Sequence, residues 1–187
     1  MEETIETTMQ SGKEGFNNAI LHLMDELKKI RAGKASPAML GGLMVPYYGS
    51  PTPLTQVANV STPDSRTLSI QPWEKSLLGA IERSIFEANL GLTPMNDGEF
   101  IRITIPALTE ERRIDLVKQT KGLGEESKVS IRNVRHKVID FIKKEVKNGY
   151  PEDAGKRREA EVESMVKTFY SKVEDLLEAK EKEIMTV

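Results

Sequence analysis

The chain lacks several features that would point to common classes of protein. It contains no cysteine, and only 5% of its 187 residues are aromatic. Without cysteine there is no disulfide bond, no thiol nucleophile and no cysteine-ligated metal site, which is typical of a reducing compartment. No stretch of about 18 apolar residues is present, and the acidic start MEETIETTMQSG is unlike a signal peptide. We therefore expect a folded cytoplasmic protein with no membrane association.

Residues suited to catalysis or metal binding are also scarce. The two histidines, His22 and His136, have no partner at metal-binding spacing. The segment AGKAS around Gly33 is no phosphate-binding P-loop, because Lys28 occupies the position of the first glycine. The sequence therefore predicts no catalytic residue, no metal site and no cofactor, and an enzyme is not expected.

Apolar residues recur at helical spacing towards both ends of the chain. Near the N-terminus, steps of four and three residues form the narrow seam of an amphipathic helix. This seam consists of Phe16, Ile20, Leu23, Leu27 and Ile30. Beyond residue 108 the turn NGYPEDAGKRRE separates two long helical patterns, at 109–147 and 152–184. Three amphipathic helices need one shared core, so these segments predict a three-helix bundle.

The middle of the chain has a different pattern. The runs LMVPYY, VANVST, RTLSIQP and EFIRITIP predict short strands, and one helical segment ends near Gly91. The sequence thus predicts an α+β fold, with an elongated three-helix bundle of residues 1–30 and 108–187 and an inserted small β/α/β domain of residues 31–107. Two short chain crossings, RAGK at 31–34 and IPAL at 105–108, join the domains. They would allow hinge motion at Gly33 and Pro106; a rigid interface is the alternative.

Basic residues concentrate on the second helix of the predicted bundle. Residues 112–147 carry eleven Lys or Arg against five Asp or Glu, whereas residues 1–30 and 148–187 each have a net charge of -3. Steps of seven, four and three residues, at about 100° per residue, place four of these cations on one face, here called the basic stripe. The basic stripe consists of Lys121, Lys128, Arg132 and Arg135. It could pair with acidic neighbours along the bundle edges, or bind the phosphates of a folded RNA.

Five segments, in this order, resemble a known family: IRAGKASPAML, YYGSPTPLTQVANV, DSRTLSIQPW, LTEERR and SIRNVRHK. They are similar to the bacterial and organellar ribosome recycling factors, and the resemblance runs from the first helix to the C-terminus. It implies an L-shaped, two-domain translation factor that is cytoplasmic and is not an enzyme. Such a factor binds the post-termination 70S ribosome between its subunits, at the large subunit and its 23S rRNA. With elongation factor G, which hydrolyses the GTP, it splits the ribosome so that mRNA and deacylated tRNA leave.

The resemblance also implies roles for particular basic residues. Arg132 and Arg135 match the arginines of the family's RNVR motif, which contact ribosomal RNA. Lys128 stands where an arginine is more usual, so the charge is kept but the bidentate fork is lost. Further basic positions of the family are matched near the two crossings by Arg31, Lys34, Arg112 and Arg113. For these four, helix capping and hinge packing are equally compatible with the sequence.

One other class of function stays open from the residues alone. A helical bundle can act as a protein-binding adaptor or chaperone without RNA binding, with its charges serving solubility. In either case the three apolar seams can satisfy one another within one chain, so a monomer is expected.

Overall fold

The chain divides into two compact units. The computed structural model describes residues 1–186. One unit consists of Met1–Ala32 with the chain from Glu110 onward, and the other is Gly33–Thr109. Each boundary lies two residues beyond the predicted one. The second unit is thus an insertion in the chain of the first.

Helices dominate the first unit and short strands the second. The described residues contain the helices α1 (Glu2–Lys29), α2 (Leu54–Val57), α3 (Leu78–Glu87), α4 (Glu110–Lys147) and α5 (Glu152–Met185). They also contain the strands β1 (Met44–Tyr47), β2 (Ser50–Pro53), β3 (Ala58–Asp64), β4 (Thr67–Pro72), β5 (Pro94–Asn96) and β6 (Ile101–Thr104). The predicted α+β fold, with a helical bundle and an inserted β/α domain, is confirmed.

The helices α1, α4 and α5 pack around one largely aliphatic core. The α1 seam is buried as predicted except at Ile20, which is half-buried, and it extends back to Ile5. Phe16 of α1 meets Phe169 of α5, with ring centroids 5.3 Å apart. Other buried residues of the bundle include Leu116, Ile131, Val138, Ile142, Val162, Val173 and Ile184. This burial fixes which face of each helix remains available at the surface.

The second unit contains two antiparallel sheets. The strands β3, β4, β6 and β5 form one sheet in that order, and β1 pairs with β2 in the other. In β6 the apolar Ile101 and Ile103 are buried while Arg102 between them is exposed, as the two-residue period of a strand requires. They share a core with Ile81 and Ile85 of α3. A helix packed on one face of this sheet therefore stabilises the unit.

Several local features differ from the sequence prediction, and one of them is the short helix α2, which was not predicted. Strands β2 and β5 were not predicted, because their sequences SPTP and PMN contain proline and lack runs of β-branched residues. Helix α3 ends at Glu87, not near Gly91. The chain turns at Asn89, whose φ of 50° is left-handed, a conformation that asparagine tolerates better than most residues.

Candidate nucleic-acid interface

The basic stripe lies on the side of α4 that borders α5. The core face of α4 is defined by buried Ile131, Val138 and Ile142. At about 100° per residue, the stripe is rotated away from this face towards α5. Two of the four cations contact carboxylates of α5 and the other two do not. The stripe therefore divides into a paired and an unpaired half.

Lys128 belongs to the paired half. Its ammonium group forms an ion pair with Glu174 of α5 and lies 3.7 Å from Glu125 of its own helix. Only 22% of the Lys128 side chain is exposed. The hydrogen bond to Glu174 raises the pKa of Lys128 above its ordinary value, against a smaller opposing effect of burial. Lys128 thus remains charged at neutral pH, with its charge largely balanced by its neighbours.

Arg135 makes the second contact between the two helices. Its Nε donates to Oε1 of Glu163 at 2.7 Å, and its Nη2 lies 2.5 Å from the same oxygen. The hydrogen bond to Glu163 raises the pKa of Arg135. Because Glu163 occupies one edge of the guanidinium, the Nη1 end of Arg135 is not held by this contact. The interpretation that the stripe pairs with an acidic neighbour holds for Lys128 and Arg135.

Arg132 and Lys121 form the unpaired half. Both side chains are exposed, and within residues 1–186 neither has a carboxylate partner within 4 Å. The local sequence explains this at Arg132. Halfway in sequence number between the two partners lies residue 151 for Lys128 and Glu174, and residue 149 for Arg135 and Glu163. Counting the same distance from these midpoints places residues 166–170 of α5 opposite Arg132. This segment, VKTFY, has no acidic side chain. Arg132 is thus a cation available to an external anion.

The four additional basic residues lie in different environments. Arg31 and Arg112 are exposed and line one shallow groove between the end of α1 and the start of α4. Arg112 also lies 2.7 Å from Asp115. Arg113 is half-buried, and its Nε finds no hydrogen-bond partner in the described part of the chain. Lys34 is half-buried in the second unit. Of the three residues that belong to the first unit, Arg31 and Arg112 line the same groove.

Gly33, at the first predicted hinge position, has a left-handed backbone conformation, which glycine adopts more easily than other residues. Its φ is 73°, and a Cβ built on it would lie 2.8 Å from Cγ of Leu108. Leu108 stands just after Pro106 of the other crossing, whose ring fixes its own φ. The two crossings therefore meet, and Gly33 is the residue that permits their close approach.

Both crossings are tied to the turn between β3 and β4. The N–H of Ala35 donates to the carbonyl of Ser65, and the N–H of Ile105 donates to the carbonyl of Arg66, each at 2.7 Å. Asp64 holds this turn, since its Oδ1 accepts from the N–H of Arg66 at 2.9 Å. The backbone hydrogen bond from Arg66 lowers the pKa of Asp64. One carboxylate thus organises the peptide groups that anchor both crossings.

Sequence reasoning missed the acidic side of the interface. Glu163 and Glu174 were counted only in the net charge of the C-terminal segment. The sequence did contain a relevant pattern, because in a helical hairpin the residues equidistant from the turn face each other. Applied around Gly149, that rule places Glu163 of α5 opposite Arg135, whereas Glu174, the partner of Lys128, lies four residues beyond the position that the rule gives.

Other classes of site have little support in the described residues. Across residues 1–186 no group of three or more His, Asp or Glu is arranged to hold a metal ion. His22 and His136 are exposed. None of the helices in this part of the chain combines the length and apolar character needed to cross a bilayer. The fold and the stripe together define a two-unit α+β protein whose bundle presents an exposed arginine suited to polyanions.

Comparisons with known proteins define the class more narrowly. The family model described as Ribosome recycling factor matches residues 23–185. The ribosome-recycling factor of Flavobacterium johnsoniae is 52% identical over 187 residues, covering 100% of both chains. That of Porphyromonas gingivalis is 53% identical over 173 residues, covering 92% of this chain and 93% of the relative. The chain belongs to the ribosome recycling factor family.

Solved structures show the same relationship. A solution structure of ribosome recycling factor matches with a TM-score of 0.74 and 35% identity, covering 98% of each chain. A second match has a TM-score of 0.61 and 40% identity, and covers 97% of this chain and 99% of the other. It is described as models for the T. thermophilus ribosome recycling factor and the E. coli elongation factor G bound to the E. coli post-termination complex.

Proposed function

We propose that the protein recycles ribosomes after termination. It binds the post-termination 70S ribosome and, with elongation factor G and GTP, splits it into subunits so that mRNA and deacylated tRNA are released. The observation that carries this proposal is the family match over residues 23–185, with relatives of about half-identical sequence along the whole chain. A solved relative described on the post-termination complex with elongation factor G supports the same partners.

In this proposal the helical unit docks on the 23S rRNA of the large subunit. The basic stripe supplies the phosphate contacts, and exposed Arg132 is its principal member. Arginine suits this role because its planar fork can donate two parallel hydrogen bonds to one phosphate. Lys121, Lys128 and Arg135 add positive charge on the same face. Arg31, Lys34, Arg112 and Arg113 are further candidate contacts.

The inserted unit transmits force rather than carrying the main RNA contacts. Elongation factor G pushes it about the crossings at Gly33 and Pro106, and this motion disrupts bridges between the ribosomal subunits. The chain itself performs no catalysis and needs no cofactor, because the GTP is used by elongation factor G. It acts as a monomer in the cytoplasm.

Co-sedimentation with vacant 70S ribosomes and with separated large subunits, over a salt series, tests the docking step. We expect saturable binding that Arg132→Ala weakens. The slope of log K against log salt should fall by about 0.7 to 0.9, the value for one lost phosphate contact. Arg157→Ala is the matched control, since Arg157 is also an exposed bundle arginine but lies outside the stripe. It should leave both quantities unchanged.

Unaltered affinity and slope in Arg132→Ala would contradict the role of the stripe. Binding that persists on nuclease-treated ribosomal protein fractions would instead favour a protein-binding adaptor.

A further inference from the structure

The acidic residues of α5 that pair with the stripe follow a line of their own. Glu163 and Glu174 are eleven residues apart, or three helical turns, so both lie at the edge of α5 that faces α4. One contacts Arg135 and the other Lys128. Arg132 lies between these two cations in the sequence and has no carboxylate opposite it. The edge of the bundle thus alternates between neutralised and free positive charge.

We propose that Glu163 and Glu174 are specificity-determining residues, which restrict RNA binding to RNA whose phosphates fit between the carboxylates. This inference rests on the proposed docking of the bundle on ribosomal RNA. A matching RNA can share Arg135 and Lys128 through the N–H groups that the carboxylates leave open. Within the basic stripe, an RNA of arbitrary shape meets Arg132 and Lys121 as free cations, and it is repelled by the two carboxylates of α5.

The overall charge of the chain supports a role in discrimination. A strongly basic protein attracts any RNA through the general phosphate field. This chain has a formal net charge of -2, so its average field does not attract RNA. Favourable binding must then come from a local surface. Neutralising half of the stripe lowers its attraction for unmatched RNA further, and it does so without removing the N–H donors that a matched phosphate needs.

The size of the effect follows from counterion release. Each phosphate neutralised on a single strand changes the slope of log K against log salt by about 0.7, which corresponds to about fivefold in affinity between 1 M and 0.1 M salt. Removing the charge of Glu163 leaves Arg135 without its carboxylate partner. This change should therefore tighten binding to an unstructured RNA by about fivefold at 0.1 M salt. Removing the charge of Glu174, the partner of Lys128, should tighten binding less, because Glu125 remains 3.7 Å from Lys128.

The experiment measures binding of a fluorescent oligouridine, as an RNA with no matching shape, to Glu163→Gln, Glu174→Gln and the double variant. Glutamine keeps the size of the side chain and removes its charge. We expect tighter binding and a steeper salt dependence in the order Glu174→Gln, Glu163→Gln, double variant. Asp175→Asn is the matched control, because Asp175 is an exposed acid on the side of α5 that faces away from the core. It should change neither quantity.

A second set of variants separates pairing from simple loss of acid. In the wild-type background Arg135→Gln should barely change the salt slope for oligouridine, because Arg135 is already neutralised. In the Glu163→Gln background the same substitution should lower the slope by about 0.7. Circular dichroism checks that each variant is folded, which we expect because the substituted carboxylates, Glu163 and Glu174, are the exposed partners of the two pairs.

The outcomes distinguish this inference from the proposed function. If the Glu variants bind oligouridine like the wild type, or if Asp175→Asn has the same effect as they do, the carboxylates do not determine specificity. Docking on the ribosome would still stand in that case, provided that Arg132→Ala weakens it. Conversely, a failure of Arg132→Ala to affect ribosome binding would remove the docking surface itself, whatever the oligouridine measurements show.

Discussion

Gly124 of α4 packs directly against Leu177 of α5, so that a Cβ at position 124 would lie 2.9 Å from Cδ2 and 3.1 Å from Cγ of the leucine. Gly124→Ala should therefore destabilise the protein. Overpacking costs about 1 to 3 kcal/mol, and the better helix propensity of alanine offsets about 1 kcal/mol of this. We expect a net loss of up to about 2 kcal/mol, measured by urea denaturation.

Gly122 provides the matched control for that substitution. It lies in the same helix two residues earlier, is exposed, and has open space where a Cβ would stand. Gly122→Ala should stabilise the protein by about 0.5 to 1 kcal/mol, because only the helix propensity changes. Equal effects of the two substitutions would show that the contact with Leu177 is not what requires glycine at position 124.

Much of the fold could be predicted because its elements have strong local patterns. The α1 seam and the alternation in β6 follow directly from helical and strand periodicity. Gly124 shows where such patterns stop being informative. A glycine within a helical pattern lowers helix propensity, and its reason becomes visible only when Leu177 of another helix lies against it. Likewise, β2 has the sequence SPTP, which forms a strand only because β1 pairs with it.

The candidate interface was predictable to a similar extent. Residue spacing alone places Lys128, Arg132 and Arg135 on one face of a helix. It does not distinguish them, because the difference lies in what α5 presents opposite each. Lys128 and Arg135 meet carboxylates, whereas Arg132 faces the segment VKTFY. That distinction depends on the register of two helices about a turn, which is a tertiary property.

A second charged contact links the N-terminus of α1 to the start of α5. The hydroxyl of Tyr150 donates to Glu2 at 2.6 Å, and Arg158 pairs with Glu2 and, at 3.0 Å, with Glu6. The hydrogen bond from Tyr150, followed by that from Arg158, lowers the pKa of Glu2. A carboxylate whose pKa is lowered by folding stabilises the folded state at any pH above its ordinary pKa of 4.5. This contribution is lost as the pH falls through the lower pKa that the group has in the folded protein.

Glu2→Gln should therefore lower the melting temperature at pH 7, and the difference from the wild type should shrink as the pH falls below about 4.5. Thermal unfolding followed by circular dichroism between pH 3 and pH 7 measures this. Glu3→Gln removes the same charge from the next position, where the described residues offer no ion-pair partner. It should show a smaller difference at pH 7. A constant difference between Glu2→Gln and the wild type at every pH would contradict the proposed role of the carboxylate.

The turn that anchors both crossings offers a test by hydrogen exchange. Asp64→Ala removes the acceptor of the Arg66 N–H and also that of the Thr67 hydroxyl, which lies 3.0 Å from Oδ2. We expect the turn to loosen and the amides of Ala35 and Ile105 to exchange faster, because their acceptors are the carbonyls of that turn. NMR or mass spectrometry can follow these two amides.

Asp97→Ala is the control for the turn. Asp97 holds another turn of the same unit, where its Oδ1 accepts from the N–H of Phe100 at 2.8 Å and from that of Glu99 at 3.0 Å. Its removal should speed exchange locally and leave Ala35 and Ile105 protected. If both variants affected those two amides equally, the anchoring would be a property of the whole unit and not of the Asp64 turn.

The last prediction concerns Gly33, where the crossing meets Leu108. Gly33→Ala adds a Cβ in a left-handed conformation that costs about 1 to 2 kcal/mol, and that Cβ would lie 2.8 Å from Leu108 Cγ. We expect ribosome binding, which depends on the bundle, to persist. In the proposed function, subunit splitting with elongation factor G and GTP uses motion of the crossings, so it should slow, because the added Cβ crowds the contact between Gly33 and Leu108. Light scattering measures the splitting, and co-sedimentation measures the binding.

Gly91→Ala separates hinge effects from backbone strain. Gly91 has a φ of 71°, close to the 73° of Gly33, but nothing lies within 4 Å of a Cβ built there, and it is outside the crossings. It should therefore bear the same left-handed strain and split ribosomes at nearly the wild-type rate. If Gly91→Ala slowed splitting as much as Gly33→Ala, stability of the inserted unit would be the cause. If Gly33→Ala lost binding and splitting in equal measure, the division of binding and force between the two units would be wrong.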